Sequence, residues 1–112
     1  MSEITHVSDA DFETAILKHS GVALVDFYAD WCGPCRMLGP VIEQLAKEYS
    51  AKPEDNVRFV KVNVDEARAT ATRFGIRAVP TMIVFKSGTE AERLLGFKPA
   101  GEIRSIIEKH RK

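Results

Sequence analysis

Cysteine is scarce in this chain, with two residues in 112, and there is a single tryptophan. A chain of this length buries most of its unfolded surface around one core, so it needs neither disulfide staples nor a structural metal, and the small disulfide-rich class is excluded. An excess of either charge is missing too: 16 Lys plus Arg face 16 Asp plus Glu, scattered along the chain. Without a polybasic stripe there is no electrostatic footprint for nucleic acid or for an anionic membrane. The basic run at residues 109–112 reads as a tail at the end of a last helix, where cations complement the dipole. No stretch comes near the roughly 18 apolar residues of a membrane span, and Met1-Ser2-Glu3-Ile4-Thr5-His6 lacks the basic-then-apolar order of an export signal. The expectation is one domain over residues 1–112, monomeric and cytoplasmic. In a reducing cytosol, two cysteines held close together are redox-active or metal-binding rather than structural.

Internal repeats and low-complexity tracts are absent as well, and what remains is an alternation of helical and strand patterns. Ser8 and Asp11 mark a helix start, with Phe12 and Ile16 on one face and an end near Lys18. After Gly21, residues 22–29 form the nearly continuous apolar run of a strand covered on both faces, interrupted only by Asp26. Leu38, Val41, Ile42, Leu45 and Tyr49 fall at helical spacing behind Pro34, which suits a first turn, while Pro40 inside the pattern is expected to kink the helix. Residues 50–56 read as a loop, 57–65 as a strand, and 66–74 as a short helix stopped by Gly75. Residues 79–85 and 91–95 read as strands joined through Lys86-Ser87-Gly88-Thr89, and Pro99 opens a last helix with Ile103, Ile106 and Ile107 facing inward. The sum is an α/β fold, a mixed sheet with parallel crossovers and an antiparallel edge, sandwiched between helices.

Cys32 and Cys35 sit where the buried strand gives way to the helix, within Trp31-Cys32-Gly33-Pro34-Cys35. Their spacing permits a disulfide once the turn closes, but a loop this small stabilises little in the chain-entropy account, so reversible chemistry explains the pair better. Unpaired N–H groups and the positive dipole end of the helix favour a thiolate at Cys32, the nucleophile. Cys35, one turn further in, is placed to attack a mixed disulfide at Cys32 and release the substrate reduced. Gly33 lets backbone approach closely and Pro34 stiffens the turn. A zinc site would need two further ligands, and His6, His19 and His110 have no ligand-like spacing, so no metal is expected. Burial of Asp26 would raise its pKa and make it a candidate proton acceptor for Cys35. Lys61 on the neighbouring strand either tunes the same site or is simply solvated. Pro80 opens a strand, where the residues alone favour a trans bond.

Taken together, Val25-Asp26-Phe27, Trp31-Cys32-Gly33-Pro34-Cys35, Pro40, Val62-Asn63-Val64-Asp65, Gly75-Ile76-Arg77-Ala78-Val79-Pro80-Thr81 and Gly96 resemble the thioredoxin family in order and spacing, over nearly the whole chain. The resemblance implies a thioredoxin fold, a central mixed five-stranded sheet flanked by four helices. It implies an activity, the reduction of disulfides in client proteins, with recharging by a thioredoxin reductase, an NADPH-dependent flavoprotein. No cofactor is then bound, and the redox group is a Cys32–Cys35 disulfide. Cys32 would attack, Cys35 resolve, and Asp26 act as the buried acid-base group with Lys61 nearby. Pro80 would be cis and face the cysteines, and Trp31, Val79 and Gly96 would flank a shallow groove for an extended substrate strand. Gly33-Pro34 is similar to the reducing branch. Three features depart from the family pattern: Tyr28 in place of a tryptophan, Ala78 in place of a glycine, and a longer loop at residues 52–56. A scaffold with dispensable cysteines and a donor dedicated to one client are the other functional readings.

Overall fold

A computed structural model describes residues 4–112, so the first three residues of the expected domain, and with them part of the stretch read for an export signal, lie outside it. Strand β1 (Thr5–His6) is followed by a short π-helix (Glu13–Leu17), β2 (Val22–Tyr28), α1 (Gly33–Ser50) and a single 3-10 turn (Pro53–Asp55). Then come β3 (Arg58–Asn63), α2 (Arg68–Arg73), β4 (Thr81–Lys86), β5 (Thr89–Leu95) and α3 (Ala100–Arg111). The five strands form one sheet in the order β1-β3-β2-β4-β5. β1, β3 and β2 are parallel, β4 runs antiparallel to β2, and β5 antiparallel to β4.

Alternation along the strands divides the core into two layers. Val22 and Leu24 of β2, Phe59 of β3 and Met82 and Val84 of β4 meet Leu38, Ile42 and Leu45 of α1 and Ile103 and Ile107 of α3. Ala23, Val25 and Phe27, with Val60, Val62, Ile83 and Phe85, face Phe12 and Ile16 on the other side. β2 is covered on both faces, as its apolar run predicts, and Asp26 therefore lies on the α1 side with Val22 and Leu24.

Several element boundaries differ from the sequence expectation. β1 has only two residues and no periodicity to read. The first helix is one short π-helical segment, with Ser8 bonding Asp11 by side chain outside it. β3 stops at Asn63 because the Asn63 side chain accepts the Asp65 N–H (2.9 Å) and turns the chain. α2 starts at Arg68, where Asp9, about 60 residues away, takes the Thr70 N–H at 2.8 Å. Its end is as expected: Gly75, at φ +63°, lets the Gly75 and Ile76 N–H groups reach Thr72 and Ala71, the double bond of a Schellman turn. β4 starts at Thr81 rather than 79, and β5 at Thr89 rather than 91. α1 continues through Pro40 to Ser50. The basic residues at 109–112 are more than a tail: Lys109 and His110 both bond Glu92, and Arg111 pairs with Glu108 and Asp55.

Candidate active site

The helix α1 begins immediately after β2 runs out, and the residue that caps it is Cys32. Its backbone is extended (φ −90°, ψ 114°) and its sulfur accepts the Cys35 N–H at 3.1 Å. A sulfur in the position usually held by a serine or aspartate oxygen receives one of the helix's unpaired donors, which favours negative charge there. Pro34 stands in the first turn, where its missing N–H costs nothing, and Gly33 faces open space. Cys32 and Cys35 are bonded as a disulfide, with Cα atoms 5.3 Å apart. Both are nearly covered, 4% and 5% exposed, and pack with Ala29, Tyr28, Val64 and Val79.

Across from the cysteines the Val79–Pro80 peptide bond is cis, against the trans reading that the local residues favour and in keeping with the family resemblance. The Val79 carbonyl oxygen lies 3.6 Å from Cys32 Sγ, the Pro80 carbonyl accepts the Gly96 N–H (2.9 Å), and Thr81 Oγ1 donates to the Ala78 carbonyl (2.7 Å). Gly96 holds φ +83°, a conformation that glycine adopts freely. Trp31 and Val79 line one shallow depression with Val64, Ile76, Arg77 and Ala78. Gly96 meets the Pro80 carbonyl and is not part of that lining. The Trp31 indole is 70% exposed and donates to Asp65 Oδ2 at 3.0 Å. Met37, Leu95 and Phe97 are the other large exposed apolar side chains among the described residues. In the sequence Asp65 and Ile76 stand out only as members of longer motif runs, with no site role of their own, and Met37 and Phe97 belong to no motif. Met37 carries a readable signal, since it falls off the Leu38-Ile42-Leu45 stripe.

Asp26 is fully buried, and neither carboxylate oxygen has a hydrogen-bond partner among the described residues. Loss of water pushes its pKa from the ordinary 3.8 up to about 6, with the Lys61 charge opposing the rise. Lys61 is directly opposite Asp26 in the β2–β3 ladder, and a cleft of about 280 Å³ between Tyr28, Cys35, Arg36, Gly39 and Lys61 opens this flank of the cysteines to solvent. The structure thus brings together Cys32, Cys35, Gly33, Pro34, Val79 and Pro80, and puts Asp26 and Lys61 on the face of the sheet that α1 covers. Among the described residues no cluster of three or more His, Cys, Asp or Glu side chains is arranged to hold a metal.

A two-electron couple closed in a four-residue ring at a helix start, a loop too small to serve as a staple, is the working part of a thiol–disulfide oxidoreductase. The sequence profile of the family described as Thioredoxin matches residues 3–109. The chain is 40% identical to the thioredoxin of Haemophilus influenzae over 110 residues, 98% of this chain and 99% of that one. With a thioredoxin of Staphylococcus aureus it shares 42% identity over 107 residues, 96% of this chain and 97% of that one. A mutant thioredoxin from Halobacterium salinarum superimposes with a TM-score of 0.86 at 34% identity, covering 97% of this chain and 91% of that one. The chain belongs to the thioredoxin family, and its redox-active group is the Cys32–Cys35 disulfide.

Proposed function

We propose that the chain acts as one unit, a monomer in the cytoplasm, that reduces disulfides of client proteins and is itself recharged by a thioredoxin reductase with electrons from NADPH. The observation that carries this reading is the Cys32 sulfur in the capping position of α1, with the Cys35 N–H on it. In the reduced protein the Cys32 thiolate attacks one sulfur of the client disulfide, and the client's other sulfur leaves as a thiolate that takes up a proton. Cys35 then gives its proton to the Asp26 carboxylate and attacks Cys32 Sγ. That step closes the Cys32–Cys35 bond, expels the second client sulfur, and leaves two electrons on the client. Lys61 tunes the charge of Asp26, and the backbone of Val79, Pro80 and Gly96 beside Trp31 receives the client as an extended strand.

Removing each thiol separately tests the assignment. Cys32→Ser is expected to abolish dithiol-driven reduction of a protein disulfide. Cys35→Ser is expected to attack once and stall, leaving client proteins covalently attached in a form that dithiothreitol releases. Normal turnover by either variant would overturn the roles, and full biological activity of Cys32→Ser would favour a scaffold.

A further inference from the structure

Tyr28 follows Asp26 by two residues in β2, so both side chains leave the same face of the sheet. Lys61, in register with Asp26 across the parallel ladder, emerges on that face as well. A buried carboxylate and an aromatic ring therefore both stand beside the ammonium. The ammonium takes the ring: Lys61 Nζ lies 4.5 Å from the Tyr28 ring centroid, within cation–π range, while both Asp26 oxygens go without a hydrogen-bond partner among the described residues. The ring is itself held in place. Its hydroxyl lies 3.4 Å from His6 Nδ1 of β1, and the two rings meet edge to face at 6.2 Å.

We propose that Tyr28 is a positioning residue that keeps the Lys61 ammonium on its ring face and so prevents it from closing an ion pair with Asp26. This rests on the reading of Asp26 as the proton acceptor, because an acceptor locked to a cation would hold its charge and give up its affinity for the Cys35 proton. With Lys61 on Tyr28, the charge still acts on Asp26 through space, but burial remains the larger influence. The other charged or titratable side chains along the openings beside Lys61 are Arg36, Glu43 and Lys47 of α1, His6 of β1, Asp30 after β2 and Glu66 after β3. Among the described residues only Lys61 acts appreciably on Asp26.

The test is a titration of the Asp26 carboxyl in the reduced protein, followed by ¹³C NMR with labelled aspartate and assigned by difference from Asp26→Asn. Tyr28→Leu removes the ring face, and the Asp26 pKa is expected to fall by about one pH unit as Lys61 swings onto the carboxylate. Tyr28→Phe keeps the face and is expected to titrate like the wild type. In a Lys61→Met background, Tyr28→Leu is expected to move nothing further, which separates release of the lysine from mere wetting of the site. Should Tyr28→Leu fold poorly, Tyr28→Met supplies the same comparison. An Asp26 pKa that rises or stays in Tyr28→Leu, or falls equally without Lys61, overturns the proposal. The pH profile of single-turnover disulfide reduction, measured alongside, answers the separate question of Asp26 as base: a carboxyl pKa that falls while the rate profile stays fixed upholds the positioning and removes the catalytic reading.

Discussion

At Asp26 reactivity and stability pull in opposite directions, and linkage fixes the sign. The folded protein holds the Asp26 proton more tightly than the unfolded chain does, so between pH 3.8 and about 6 the native state binds more protons. Stability is therefore lost as pH rises through that window and stays lost above it. At about 1.4 kcal/mol per unit, the loss approaches 3 kcal/mol, a sizeable part of the 5–15 kcal/mol typical of a small domain. Asp26→Asn removes the charge and leaves a buried, unsatisfied amide that itself costs on the order of 1 kcal/mol. The expected outcome is a variant about 1–2 kcal/mol more stable than wild type at pH 8, no better at pH 4, and slower in the step where Cys35 gives up its proton. Denaturant titrations at both pH values with a reduction assay check this; an Asn variant less stable at pH 8 would show that the carboxylate is solvated. Asp26 and the cysteine pair were legible in the sequence because each breaks a pattern. Tyr28 was visible only as an odd residue, since its partner Lys61 is 33 positions away and meets it through register.

Among the elements, the β4–β5 hairpin makes the strictest demand on backbone. Ser87 and Gly88 have φ +50° and +81°, and Lys86 pairs with Thr89 around them, the arrangement of a two-residue type I′ turn. A Cβ on Gly88 would also run into the Leu17 carbonyl. Gly88→Ala is expected to lose about 2 kcal/mol or more, combining the left-handed penalty with that collision. The urea midpoint should fall while the reduction rate per folded molecule is kept, because Lys86 pairs with Val22 at the start of β2 and the cysteines follow its end. Ser-Gly between two apolar runs announced this turn in the sequence. Other boundaries gave no such notice: the cap of α2 comes from Asp9, and the cis state of Pro80 is invisible to local preference, so only family likeness pointed to it.

For the molecule as a whole, the acid side of the stability profile belongs to carboxylates that gain from folding. Arg111, then Tyr49, holds the Glu108 carboxyl down at about 2, and Asp9, Glu48 and Glu92 are lowered as well, by Thr70, Arg104 and His110 foremost. Their contribution is fully present above the ordinary carboxylate range and is lost as pH falls from there through the lowered values, about 2 for Glu108, the reverse of Asp26. Stability is expected to peak near pH ~5 and to fall to a plateau above about pH 6, where Asp26 is ionised in both states; Asp26→Asn should flatten that decline alone, and a wild-type maximum at pH 8 would contradict the balance. The bonds joining Ser20 to Asn56 and Ser87, and His19 to the Asn56 carbonyl, tie three connections together at the end of the sheet away from the disulfide. The seven residues of β2 put roughly 20 Å between that knot and the sulfurs. Changes at the two ends are far enough apart to add independently, so a lineage, or an engineer, can rewrite the loops at one pole for thermal endurance or a grafted epitope while the electron-carrying pole drifts toward new clients on its own schedule.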